Sequence, residues 1–92
     1  MVTSTLVTFM KDKRTFVIDL LIVPKGAPET FDELLSRAQK EAVDNNAEVL
    51  QVTVRGRARL RLWNRMGFTA LKKIKDVYVM ERSVKDGKEK ST

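Results

Sequence analysis

The sequence predicts a small α+β domain on a mixed sheet, with element order β-β-α-β-α-β. Three observations lead there. Two runs rich in Val, Ile, Phe and Thr open the chain, separated by the polar stretch Lys11-Asp12-Lys13-Arg14. A Pro- and Gly-containing break then precedes a run with helical apolar spacing. After that, strand-like and helix-like runs alternate once more. A strand, a crossover helix and another strand imply one parallel pair inside a mixed sheet.

The first strand is expected over Thr3 to Met10 and the second over Thr15 to Val23, joined as an antiparallel hairpin. The second has apolar residues on both faces, the pattern of a central strand. The first carries Leu6, Val7, Phe9 and Met10, too many apolar residues for a single buried face. Pro24-Lys25-Gly26-Ala27-Pro28 ends the second strand. Thr30 and Glu33 have the spacing of a capping box. Phe31, Leu34, Leu35, Ala38 and Ala42 then fall on one helical face. Asn45 and Asn46 suit the helix end, since Asn tolerates the left-handed conformation.

Glu48 to Val54 reads as a third strand, and Arg57 to Met66 as a second helix stopping at Gly67. On a helical wheel Ala58, Leu60, Leu62, Trp63 and Met66 share one broad arc, with Arg57, Arg61 and Arg65 opposite. Arg59 projects into the apolar arc. Trp63 and Phe68 are expected in the core. Thr69 to Arg82 contains the last strand, most clearly Val77 to Glu81. Residues 1–82 therefore form one domain, and 83–92, charged with one apolar residue, are expected to be a flexible tail.

Composition narrows the chemistry. Ninety-two residues bury one small core. The chain has no cysteine, which excludes disulfides, a thiolate nucleophile and zinc–thiolate sites. It has no histidine, the commonest general base and metal ligand. No metal site is expected. The longest apolar run, Phe16 to Val23, is too short to span a bilayer and contains Asp19, and the N-terminus lacks the basic-then-apolar order of a signal peptide. A cytoplasmic location is expected. Net charge is +6 and the excess sits late, because Arg55 to Arg65 holds five arginines and no acid. A solvated helix face explains such a run, and so does an anionic partner.

The order of elements and several short stretches resemble the C-terminal half of the GNAT acetyltransferases. Ile22-Val23-Pro24 stands where that family has V-x-P, and Leu34-Leu35 where it has a Leu-Leu pair. Leu62-Trp63-Asn64-Arg65-Met66-Gly67-Phe68 is similar to the family's "LYEKLGF", and Tyr78 to Arg82 to its closing strand. The resemblance implies a truncated GNAT-like sheet with one uncovered edge. Edges tend to be paired or covered, so a homo-oligomer or a protein partner is expected.

The resemblance also implies where acetyl-CoA would sit, and there the sequence departs. The family's R-G-x-G-x-G turn holds the pyrophosphate on backbone amides. Here Lys25, Gly26, Ala27 and Thr30 remain as a degenerate loop. Pro28 has no amide, and Glu29, Asp32 and Glu33 bring negative charge. Trp63 replaces the family's tyrosine acid, and an indole N–H does not give up its proton near neutral pH. Gly56 replaces an asparagine that opens the helix. Asp19 lies in the strand that often carries the general base, and burial among Phe16, Ile18, Leu20 and Leu21 would raise its pKa. The reading that it faces solvent or pairs with a lysine is favoured.

The preferred expectation is a non-catalytic GNAT-like interaction or assembly module without a cofactor, with Arg55, Arg57, Arg61 and Arg65 as contact residues. A looser likeness to small phage-encoded proteins extends this to a virion or host-cytoplasmic assembly component. The alternatives are an acyl-CoA-dependent N-acetyltransferase, and a nucleic-acid-binding module built on the arginines from Arg55 to Arg65. Stacking aromatics are scarce for the last.

Overall fold

The polar run Asp12–Arg14 reverses the chain because Asp12 holds the turn. Its carboxylate accepts backbone N–H bonds from Arg14 (2.8 Å) and Thr15 (2.9 Å). Those bonds, Arg14's first, hold the Asp12 carboxyl below its ordinary pKa. The strands on either side are β1 (Thr5–Met10) and β2 (Thr15–Ile22), paired antiparallel. The computed structural model describes residues 2–85.

The register of the hairpin slips once. Val7 opposes Leu20 but Thr8 opposes Ile18, so Asp19 is an extra residue on β2. Such a bulge bends and twists its strand. Helix α1 (Phe31–Asp44) crosses over to β3 (Val49–Arg55), which pairs parallel with β2 only from Thr15–Val49 to Ile18–Val52. The parallel ladder stops where Asp19 bulges. Helix α2 (Arg57–Arg65) then leads to β4 (Thr69–Ile74) and β5 (Val77–Ser83). The sheet order is β1-β2-β3-β5-β4.

Both helices pack on one face of this sheet. Phe16 and Ile18, Leu50, Val52 and Val54, and Tyr78 and Met80 meet Leu35, Ala38 and Ala42 of α1 and Trp63 of α2 in one core. Each helix ends in a Schellman motif. After α1, Asn46 takes φ 58°, its N–H reaches Val43 O (3.0 Å), and Ala47 N–H reaches Ala42 O (2.9 Å). After α2, Gly67 takes φ 92°, its N–H reaches Asn64 O (3.0 Å), and Phe68 N–H reaches Trp63 O (3.0 Å). The apolar contact that accompanies this motif is the edge-on pair Trp63–Phe68, with centroids 4.9 Å apart. Phe31 meets the other side of Trp63 at 5.1 Å. Trp63 and Phe68 are both buried, as expected.

Arg82 of β5 ties these pieces together. It donates to Met66 O (2.6 Å) and to Gln39 Oε1 (2.9 Å), and lies 4.9 Å above the Phe68 ring. Gln39 donates in turn to Val84 O (2.6 Å). One guanidinium thereby fixes the end of α2, the middle of α1 and the end of β5.

Four expectations need correction. The stretch Thr69 to Arg82 holds two strands, β4 and β5, joined at Lys75 in the left-handed conformation (φ 57°). Every residue of β4 is exposed, so it carries no alternation to mark it. The ordered domain extends past residue 82, because β5 includes Ser83 and Val84 is buried; residues 86–92 of the expected tail lie outside the described residues. Ala58 is exposed rather than on the buried arc of α2. Finally, β2 is central but buried on one face only beyond its bulge, since Leu20 and Ile22 are exposed.

Candidate functional site

The bulge at Asp19 lies at a concavity. Beyond the last parallel pair, β2 and β3 separate, and a cleft of about 690 Å³ opens between them. Leu20, Ile22 and Val54 line it from the strands, Phe31 and Asp32 from the start of α1, and Leu62, Trp63 and Met66 from α2. The cleft is thus apolar in its depth. Asp19, Asp32 and Arg59 supply its charge, with Arg59 the one cation among the lining residues. Arg59 is exposed, so its place near the apolar arc brings it to the mouth of the cleft.

Helix α1 aims its N-terminus at this cleft, and such termini favour anions. Here one amide of the terminus is already engaged. Thr30, the N-cap, accepts the Glu33 N–H at 3.1 Å, which is the hydroxyl half of the expected capping box. The Ala27 N–H goes to Pro24 O (3.1 Å), and Pro28 has none to offer. Asp32 and Glu33 fill the first turn with carboxylates. A pyrophosphate here would meet like charge from Asp32 and Glu33. Of the degenerate loop, Thr30 lines the cleft; Lys25, Gly26 and Ala27 do not. Gly26 sits exposed at φ 89°.

Asp19 is exposed at the cleft and at the bulge. Trp63, which the sequence resemblance sets at the family's acid position, is buried between Phe31 and Phe68.

A second feature is a basic surface. Arg57, Arg61 and Arg65 are exposed along the outer side of α2. Helix α2 packs against β3 and β4, and β4 adds Lys72 and Lys73, with Lys75 in the turn that follows. From Gly56 to Lys75 there is no acidic residue. Arg55 lies beside Asp76 at 3.9 Å, with both side chains exposed, so the pair contributes little. Lys73 lies 5.6 Å over the buried Tyr78 ring. The lysines were not part of the expected contact set, because β4 was not legible as a strand beside α2.

No family model matches the sequence, and no curated protein matches it. Solved structures do match the fold. Ard1 from Thermoplasma volcanium superposes with a TM-score of 0.71 at 16% identity, over 87% of this chain and 62% of its own. A GNAT family acetyltransferase from Elizabethkingia anophelis, with acetyl-CoA bound, gives 0.73 at 13% identity, over 87% and 67%. A GNAT family acetyltransferase from Listeria monocytogenes gives 0.64 at 11% identity, over 75% and 42%.

The chain has a GNAT acetyltransferase fold.

At these identities the likeness establishes the fold alone, and the chain spans under two thirds of the length of the Thermoplasma and Listeria structures. The GNAT-like resemblance and the small mixed α+β sheet read from the sequence are both borne out, with one strand more than expected. Among the described residues no group of acidic side chains is placed to hold a metal ion, and no helix is long and apolar enough to cross a membrane.

Proposed function

We propose that this GNAT-like domain is a binding or assembly module that does not carry acetyl transfer. The observation that supports this reading is the start of α1, where Thr30 caps the helix and Asp32 and Glu33 follow at once. A helix terminus whose cap engages one of its amides and whose first turn carries two carboxylates repels a dianionic ligand. The partner is another protein or a second copy; where it is another protein, Arg55, Arg57, Arg61 and Arg65 form the polar rim of that contact. An acidic partner surface suits them. The extension to a phage virion rests on the sequence likeness alone.

The deciding experiment is a calorimetric titration of acetyl-CoA at moderate salt. The expected result is no saturable heat, and a dissociation constant in the micromolar range would overturn the reading.

A second reading is favoured by one observation, the cleft between β2 and β3. A neighbour of the same fold has acetyl-CoA bound, and an acyl-CoA-dependent N-acetyltransferase would use that opening, with Asp19 the candidate base. The same titration separates the two.

The basic surface of α2 and β4 supports a third reading, contact with nucleic acid. It differs in salt response. Phosphate binding weakens steeply as a power of salt concentration, whereas a protein contact with a charged rim weakens modestly. Sedimentation at several salt concentrations, with and without DNA, is expected to show the modest response. A steep DNA-dependent one would move the assignment to nucleic acid.

A further inference from the structure

The two edges of the sheet are built differently, and the difference points to a partner for one of them. Strands β1 and β4 are the terminal strands. An unprotected edge strand is a template for another chain, and charges, bulges and prolines are the usual protection. Strand β4 has such protection: Lys72 and Lys73 lie in the strand, Lys75 follows, and its register is broken between Ala70 and Lys72. Strand β1, Thr-Leu-Val-Thr-Phe-Met, has no charge and no proline. The bulge of the β1–β2 hairpin falls on β2, so the outer edge of β1 stays regular.

The side chains of β1 are also open. The face of the sheet away from the helices exposes Val7 (42%), Phe9 (47%), Leu20 (42%) and Ile22 (46%) as one patch on two neighbouring strands. Such a patch beside an open edge marks a contact surface.

We infer that β1 pairs antiparallel with β1 of a second copy about a two-fold axis at Thr8, giving a closed dimer with one ten-stranded sheet. Hydrogen bonding sets the axis. Lys11 donates to Thr15 O, so by strand alternation Phe9 and Val7 turn their backbone groups toward β2. Leu6, Thr8 and Met10 turn theirs outward. An axis at Thr8 sets Leu6 opposite Met10 and Thr8 opposite Thr8, so all three outward residues find partners. It also sets Val7 opposite Phe9 on the open face, twice, which is a favourable β-branched–aromatic pair. No like charges meet along the strand.

Charge and closure favour a second copy over other occupants. The chain carries +6, and its acid-free basic run from Gly56 to Lys75 lies on α2 and β4, at the far edge; Lys11, Lys13 and Arg14 follow β1 but lie beyond the paired residues Leu6 to Met10. Four strand spacings of about 4.8 Å separate the edges, roughly 19 Å. That exceeds the screening length of about 8 Å at physiological salt, and pairing through β1 doubles the separation. The lysines of β4 oppose pairing β1 with β4, so the assembly closes at two instead of growing into a filament. The inference rests on the reading of this domain as a binding or assembly module, uses an edge separate from the arginine surface, and is independent of whether the cleft takes a cofactor.

Charge reversal across the seam tests it. Sedimentation of the whole chain up to roughly 100 μM should give twice the 10.5 kDa mass of the chain. The double variant Val7→Lys/Phe9→Lys sets lysine opposite lysine and should be monomeric, with dimer affinity at least tenfold weaker. The variant Val7→Lys/Phe9→Glu sets lysine opposite glutamate and should recover the dimer. Both sites are exposed, and circular dichroism with a melting curve checks that each variant folds. A wild-type monomer, a species larger than a dimer, or equal behaviour of the two variants would overturn the inference. A wild-type monomer that binds a different protein would leave the proposed function standing while removing this dimer.

Discussion

Trp63 links the two helices, because it touches both Phe31 from α1 and Phe68 beyond α2. Replacing it with alanine removes a buried ring and leaves a cavity between the helices. Trp63→Ala is expected to cost about 3–5 kcal/mol in chemical denaturation. A loss under about 1 kcal/mol would mean that the ring does not hold the core together. Asp12 makes a different kind of prediction. Its carboxyl titrates below the ordinary aspartate value because the folded turn donates N–H bonds to the charged form. A depressed folded pKa contributes stability above the unfolded value, near 4, and that contribution is lost as pH falls through the folded value. The amide signals of Arg14 and Thr15 should therefore shift together below about pH 4. In Asp12→Asn that acid-side transition should be absent. An unchanged transition in the variant would assign it to another group.

At the scale of elements, the caps decide where each helix stops. Gly67 holds φ 92°, a region closed to most side chains, while both Schellman bonds depend on it. Gly67→Ala should destabilise the domain by about 1 kcal/mol or more, read as a lower melting temperature. No change would show that the helix end relaxes without cost. These helix ends were legible because Gly67 and Asn45-Asn46 announce themselves by type. The capping threonine and the buried face of α1 were legible for the same reason, through fixed spacing. Strand β4 was not, because an exposed edge strand with lysines at its centre has neither apolar alternation nor a turn signal stronger than Lys75-Asp76. Ala58 was misplaced because a wheel gives an arc but not its limits. The role of Arg82 was hidden as well. Its partners Met66, Gln39 and Phe68 are far away in sequence, and only the fold brings them together.

At the scale of the molecule, the fold and the cofactor site separate. The sheet, crossover and core follow from patterns that any sequence of this fold must keep, and they are present. The resemblance sets the phosphate-binding turn of that family at a few positions, and in this chain those hold Pro28, Thr30 and Asp32. The cleft itself could not be read beforehand, since it lies at one bulged residue, Asp19, where the parallel ladder ends. The domain keeps the architecture, and the central proposal is that it does not bind acetyl-CoA. Titrating acetyl-CoA into the wild-type chain, beside the variant Glu29→Gln/Thr30→Gly/Asp32→Gly, tests it most directly. The account predicts no saturable binding by the wild type and at least tenfold tighter binding by the variant. A wild-type dissociation constant in the micromolar range, unimproved by these changes, would contradict it.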